Sequence, residues 1–210
     1  KDIVWEVGDE ISLFTADAGA NRKFTVESVS DFGRKAVFTG MAEEAYSFYA
    51  LYPYTSGAVL SPKGVVSGVT IPVSQVAVPG SFMEGANPAV AYAANGSKAL
   101  QFKNVGALLS FSIKEANVTA IEISADQYIS GTATVTYNDG LPTVNITGGS
   151  KSVKLTAESG FEIGKTYYAV IYPPNSLSGL KLSLTKYEAE TVVNPSFTFP
   201  VKRNSISSFG

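Results

Sequence analysis

Neither cysteine nor histidine occurs anywhere in the 210 residues. Their absence removes disulfides, thiol chemistry, Cys/His zinc sites and every histidine-based catalytic triad. It leaves the compartment open, because many exported bacterial proteins hold together without disulfides. Charge is also scarce: 16% of residues are charged and the net charge is -2. The 16 basic residues are scattered, so no stripe invites nucleic acid or an anionic membrane. No apolar run reaches the roughly 18 residues that a membrane-spanning helix requires. There is no P-loop, no glycine-rich dinucleotide fingerprint and no Ser-x-x-Lys run with a supporting motif. The chain starts at Lys1 with no methionine and no signal peptide, which fits a mature or trimmed form of a longer precursor.

What the chain does have is apolar and turn-forming. Hydrophobic residues make up 45% of it, with 11 Tyr, 12 Phe, 19 Gly and 10 Pro. That is enough for a real core in one large domain, or in two of about 100 residues each. Short Val/Ile/Thr/Tyr/Phe runs with period-2 alternation recur, each ended by Gly, Pro, Asn or Asp. They predict strands at Ile11–Thr15, Lys23–Ser28, Lys35–Phe38, Tyr46–Tyr52 and Val69–Val73. Further strands are expected at Leu100–Lys103, Ala107–Lys114, Val118–Ser124, Gly131–Tyr137 and Thr143–Thr147. Ser152–Thr156, Thr166–Tyr172, Leu180–Lys186 and Phe197–Val201 complete the set. In GTATVTYNDGLPTVNIT, the turn Asn138-Asp139-Gly140 supplies the positive-φ residues of a tight hairpin. No helical apolar stripe is present, so the pattern reads as all-β, of the sandwich type.

Patterning is weakest between Pro79 and Lys98, which suggests two consecutive domains, 1–98 and 99–210. Each half carries one copy of a tyrosine-rich phrase, YSFYALYPYTSG from Tyr46 and TYYAVIYPPNSLSG from Thr166. Pro53 and Pro173 end a strand in this reading, since proline cannot donate to a ladder. The doubled phrase is read as a sandwich strand and the turn after it, rather than as a catalytic motif.

Residues that could carry chemistry are few. Tyr46, Tyr49, Tyr52 and Tyr54 form a candidate aromatic platform on which a sugar could stack, although Tyr49 falls on the opposite strand face from Tyr46 and Tyr52. Paired carboxylates, the equipment of a histidine-free hydrolase, occur as Asp9/Glu10, Glu43/Glu44 and Glu188/Glu190, each in surroundings where a solvated charge is the ordinary explanation. Asp31, Asp126 and Asp139 stand alone, without the clustered oxygen ligands of a calcium loop. No enzyme activity, cofactor or metal is expected.

Taken in order, WEVGDEISLF (Trp5 to Phe14), YSFYALYPY, IPVSQVAVPGSF (Ile71 to Phe82) and LQFKNVGALLSFSI (Leu100 to Ile113) resemble the fimbrillin-like family of Bacteroidetes-type pilins and surface lipoproteins. The match continues through ISGTATV and GKTYYAVIYP to VKRNSI and so covers nearly the whole chain. The resemblance implies two transthyretin-like, Greek-key β-sandwich domains in a protein exported to the outer membrane and cell surface as a lipid-anchored precursor. The anchor would lie outside this chain. It also implies a fimbrium whose subunits join when a strand of one fills a groove in the next. None of Arg22, Arg34 and Arg203 is carried over as a maturation cleavage site.

An incomplete sandwich exposes unpaired backbone along an edge, which an added strand satisfies. Terminal segments suit that role. The candidates are Ile3, Val4, Trp5 and Val7 at one end and Phe197, Phe199, Val201 and Ile206 at the other. The leading expectation is therefore a structural or adhesive subunit of a fimbria-like surface assembly whose partners are other subunits, itself or heterologous. The alternative is a glycan-binding surface lipoprotein, which would meet a host or bacterial surface glycan or protein through the tyrosine platform.

Overall fold

Eighteen β-strands and no helix make up the regular structure of the described residues, 3–16, 19–137, 140–174, 177–186, 189–193 and 201–208 of a computed structural model. The chain is all-β, as the alternating sequence predicts. Contacts group it into two compact units that interleave along the sequence. The first comprises Lys1–Val69, Pro88–Lys103 and Ala133–Asn145, and the second Thr70–Asn87, Asn104–Thr132 and Ile146–Gly210. Each unit thus draws on both of the halves, 1–98 and 99–210, that composition suggests.

The first unit is built on a six-stranded sheet. Its order is β3 (Lys35–Gly40), β2 (Arg22–Ser30), β1 (Glu10–Thr15), β4 (Phe48–Tyr52), β8 (Ala89–Ala93) and β9 (Lys103–Asn104). Antiparallel register places Ile11 opposite Phe24, Leu13 opposite Ala50 and Ala50 opposite Ala91, so these side chains share one face. Phe14, Leu51 and Val90 alternate with them onto the other face and are also buried. Both sides of β1 and β4 are therefore covered, which explains their nearly continuous apolar runs. A separate four-stranded sheet runs β13 (Thr143–Ser150), β12 (Ser130–Thr136), β6 (Val65–Ile71) and β5 (Val59–Ser61). Strands β12 and β13 are the expected hairpin, whose turn residues Asn138 and Asp139 lie outside the described residues.

The second unit is a sandwich. One sheet has the order β15 (Thr166–Ile171), β10 (Ala107–Ser112), β18 (Ile206–Ser208). The other is β17 (Ala189–Val193), β16 (Lys181–Lys186), β11 (Val118–Ser124), β14 (Ser152–Thr156) and β7 (Ser74–Val76). Alternate residues of both sheets meet in one core: Leu109 and Phe111, Tyr167 and Ala169, Ile121 and Ile123, Val153 and Leu155. Burying each large side chain is worth about 1.5–3 kcal/mol. Glu122 and Lys154 sit between core positions and point to solvent, where they face each other in register.

The buried amide of Gln75, on β7, joins the two sheets of this sandwich. Its Nε2 donates to the Val170 carbonyl at 2.8 Å and the Val170 N–H donates back to its Oε1 at 3.0 Å. Val170 belongs to β15, whose outer edge has no neighbouring strand among the described residues. Gly80 N–H on the Thr166 carbonyl and Tyr172 N–H on the Ile129 carbonyl bond the same edge four residues before and two residues after Val170. A side chain and two loop residues thus do the work of an absent strand.

Most expected strands occur within a residue or two of their predicted ends. The exceptions have local causes. The strand expected at Val69–Val73 is instead Val65–Ile71, accommodating Gly68 at φ +80, where a Cβ would crowd Ala58. Leu100 and Phe102 leave the ladder and turn their side chains onto the apolar face of the six-stranded sheet, so only Lys103–Asn104 pairs. Both copies of the tyrosine phrase close a strand: Tyr52 ends β4 before a cis Pro53, and Tyr172 follows β15.

Two outcomes follow. Gln75→Leu keeps the volume but strands the Val170 N–H and C=O, and urea unfolding should record a loss of about 2–4 kcal/mol. The Tyr172 hydroxyl donates to the Gly131 carbonyl, and burial pushes its pKa well above the ordinary 10.0, against a smaller opposing hydrogen bond with the Ile71 backbone. The folded state keeps this proton after the unfolded chain has lost it, so the contribution of Tyr172 to stability is constant below about pH 10 and declines above it. Tyr172→Phe should flatten that decline in a series of urea titrations.

Candidate functional site

A concavity lies within the first unit, over the apolar face of its six-stranded sheet. From β1 the chain runs back past Gly8, whose N–H bonds the Val26 carbonyl at 3.0 Å, to Trp5, whose N–H bonds the Gly33 carbonyl at 2.7 Å. The Glu6 N–H is held by the Asp9 carboxylate at 2.9 Å. These bonds fix a short bridge from the end of β1 to the β2–β3 turn. Gly33 is required there: it has φ +80, and a Cβ would strike the Val4 side chain.

The bridge lowers the Trp5 indole onto the sheet. Its ring meets Phe38 and Tyr52 edge-on at 5.1 Å and Phe102 at 4.9 Å. Such geometries favour the ring quadrupoles beyond simple area burial. Beneath lie Ile11, Leu13, Phe48, Ala50 and Ala91, all buried. The cleft that remains beside Trp5 measures about 730 Å³, and Phe24, Phe38, Phe48, Leu100 and Phe102 line its apolar interior. Arg34, Lys35, Glu43, Glu44 and Lys98 form its rim.

Both rim carboxylates are held in ion pairs. Arg22 holds Glu43 at 2.6 Å and Lys98 holds Glu44 at 3.0 Å. A backbone hydrogen bond, then the bond to Arg22 and its charge, keep the Glu43 carboxyl below the usual range. These pairs are exposed and contribute little to stability. Of the other carboxylate pairs, Asp9 accepts from Glu6 N–H and Tyr52 OH, and Glu10 pairs with Lys23. Glu188 lies outside the described residues, as does the side chain of Glu190. Among the described residues no group of three or more acidic side chains is placed to hold a metal ion.

The four tyrosines are not brought onto one surface. Tyr49 is buried and meets Tyr92 of β8 at a tilt of 41°, with centroids 4.7 Å apart. Burial, and secondarily Tyr92, raise its pKa. Tyr52 points to the other face, against Trp5, while Lys23 lies 4.5 Å above the Tyr54 ring. Tyr46, 68% exposed, precedes β4 and bonds Asn95.

The terminal candidates divide in the same way. Ile3, Val4 and Val7 are exposed, and Trp5 is seated in the cleft. Phe197 and Phe199 lie outside the described residues. Val201 is buried in the second unit's core. Ile206, 46% exposed, opens β18, which runs parallel to β10 with Leu108 opposite Ile206 and Ser110 opposite Ser208. That short strand is held by Leu108 N–H on the Ser205 carbonyl, Asn204 N–H on the Gly106 carbonyl and a 2.7 Å bond between the Ser110 and Ser208 hydroxyls. Arg203 adds a bond to the Asn104 carbonyl at 2.7 Å.

Sequence reasoning did not nominate Phe24, Phe38, Leu100 and Phe102 as site residues. Their common signal is only that each is a large apolar residue in or beside a strand, which marks any core equally well.

No protein-family model and no curated protein matches the chain. Solved structures do. A candidate cell-adhesion protein of Bacteroides ovatus aligns with a TM-score of 0.52 at 13% identity, covering 99% of this chain and 85% of that one. A second, from Bacteroides thetaiotaomicron, gives 0.48 at 16% identity, covering 97% and 79%. The C-terminally truncated tip fimbrial protein Mfa3 of Porphyromonas gingivalis gives 0.36 at 11%, covering 90% and 76%. The first shows a shared fold; the lower scores of the other two carry no argument.

Removing the indole should both destabilise the first unit and open the cleft. Trp5→Ala is expected to cost about 2–3 kcal/mol in urea unfolding, the lower end for an aromatic truncation because Trp5 is only partly buried. It should also raise the fluorescence of an environment-sensitive apolar dye under native conditions.

Proposed function

We propose that this chain is a structural or adhesive subunit of a fimbria-like assembly on the cell surface, joined to its neighbours by addition or exchange of a β-strand. The observation that carries the reading is β18. It is three residues long, lies at a sheet edge and runs parallel to β10. Parallel pairing is slightly weaker per residue than antiparallel, so an incoming antiparallel strand could replace β18 and bond more of β10. The segments proposed to exchange are Phe197, Phe199, Val201 and Ile206, with Ile3, Val4, Trp5 and Val7 as a second set.

The ordered sequence blocks that resemble fimbrillin-like proteins support this reading. So does the fold shared with a candidate cell-adhesion protein of Bacteroides ovatus. Two transthyretin-like domains, export as a lipid-anchored precursor and a non-catalytic role belong to the same proposal. The glycan-binding alternative needs Tyr46, Tyr49, Tyr52 and Tyr54 to act together, and the placement of Tyr49 and Tyr52 on opposite faces of β4 gives it no support.

The chain contains no cysteine, so an engineered pair is unambiguous. Ser110→Cys with Ser208→Cys replaces two hydroxyls already in contact and locks β18 to β10 when oxidised. Light scattering after size-exclusion chromatography should find concentration-dependent oligomers larger than a dimer for the native chain, nothing larger than a dimer for the locked variant, and the larger oligomers again after reduction. Equal assembly of the locked and native chains would remove β18 from the mechanism. A native chain that stays monomeric at its solubility limit would sink strand exchange itself.

A further inference from the structure

A second edge in the first unit is open in a different way. Strand β3 ends the six-stranded sheet, and among the described residues β2 is the only strand bonded to it. Exposed edges are ordinarily blunted by charge, proline or a bulge. Here Lys35 is the one charge within KAVFTG, there is no proline, and the register shift falls on β2, between Val26 and Ser28. Val37 and Met41 stand on the outer side with 57% and 88% of their surfaces exposed.

The flanks of this edge are oppositely charged. Arg34 and Lys35 begin it; Glu43 and Glu44 follow it. A segment with a basic head and an acidic tail is complementary to its own antiparallel copy. We infer that β3 is a homophilic docking edge, at which two copies of this chain pair antiparallel about a two-fold axis through Thr39.

The register follows from the pleat. Residues directly opposite each other in an antiparallel pair share a face, so a two-fold axis must pass through a residue rather than between two. Centred on Thr39, Lys35 of one copy faces Glu43 of the other, Arg34 faces Glu44 and Val37 faces Met41, each twice. Phe38 faces Gly40, which offers no side chain to clash. Moving the axis to Phe38 sets Glu44 against Phe32 and Arg34 against Ala42, which loses the charge pairs. Moving it to Gly40 sets Val37 against Glu43.

Only one centre satisfies charge and apolar burial together. Residues 41–44 belong to no strand in the single chain and gain backbone partners in the pair. The existing contacts of Glu43 with Arg22, Glu44 with Lys98 and Lys35 with Asp31 are exposed ion pairs that can share or exchange partners cheaply. The interface uses no residue of β18 and stands or falls independently of strand exchange there.

Single cysteines in this cysteine-free chain read the register directly. Thr39→Cys should form a covalent dimer on mild oxidation. Val37→Cys and Met41→Cys should each stay monomeric alone and cross-link when mixed. Ser28→Cys, exposed on the neighbouring strand, is the background control. Sedimentation of the native chain should give a reversible dimer, and Met41→Lys should raise its dissociation constant by about tenfold or more. Lys35→Glu should weaken it and the added Glu43→Lys restore it. All these positions are exposed, and circular dichroism verifies folding. Cross-linking of Thr39→Cys no greater than Ser28→Cys, self-linking of Val37→Cys equal to that of the mixture, or a strictly monomeric native chain would each overturn the inference.

Discussion

Every sheet has to stop, and the N–H and C=O groups along its last strand then need partners. Much of this molecule can be understood as a set of answers to that constraint. At β15 the answer is a glutamine: the Gln75 amide gives one donor and one acceptor to Val170 and so imitates a neighbouring residue. At β10 the answer is a strand of only three residues, β18, laid parallel. At the β2–β3 turn it is the Trp5 N–H, which takes up the Gly33 carbonyl. Strand β3 has no comparable cover among the described residues. These sites differ in how much must be broken to make them available, and they rank from the buried amide to the open strand.

The aromatic cleft follows from the same economy at the level of side chains. A six-stranded sheet apolar on both faces needs something on each, and over Ile11 and Leu13 the cover is a bridge segment and a loop rather than a second regular layer. Trp5, Phe38, Tyr52 and Phe102 fill that space with few residues, because each ring covers a large area and edge-to-face contacts hold them together. The space they leave beside them is apolar inside and salt-bridged at its mouth. This is the profile of a packing surface or of a site for an apolar group.

Strands whose alternation is strong could be read directly. Ile121 and Ile123 flank Glu122, and Val153 and Leu155 flank Lys154, so one face is apolar and the period is plain. Strand β8, AVAYA, was missed because it is buried on both faces and built from small residues, which leaves no period to detect. Strands β5 and β7 are three residues each, shorter than any window that reveals a pattern. The cleft was legible only in pieces. Trp5 and Phe102 fall in two of the sequence blocks that stood out, but nothing in either block says that they meet. The tyrosines stood out by number, and their grouping failed because β4 turns Tyr49 and Tyr52 to opposite sides.

The interleaving of the two units has a consequence for how the chain reaches its native state. The first unit needs residues as late as Asn145, and the second cannot be completed until the segment around Ile206 is present. Strand β7 must wait for β14, some 80 residues further on, before it has a neighbour. The first unit therefore cannot close before residue 145 has emerged, nor the second before the segment around Ile206, and closure of long loops precedes many of the stabilising contacts. Such a chain stays compact but incomplete for longer than two consecutive modules would, with sheet edges available to other molecules throughout that interval. For a protein whose proposed work is edge-to-edge association, folding is thus a competition between its own late strands and those of its neighbours.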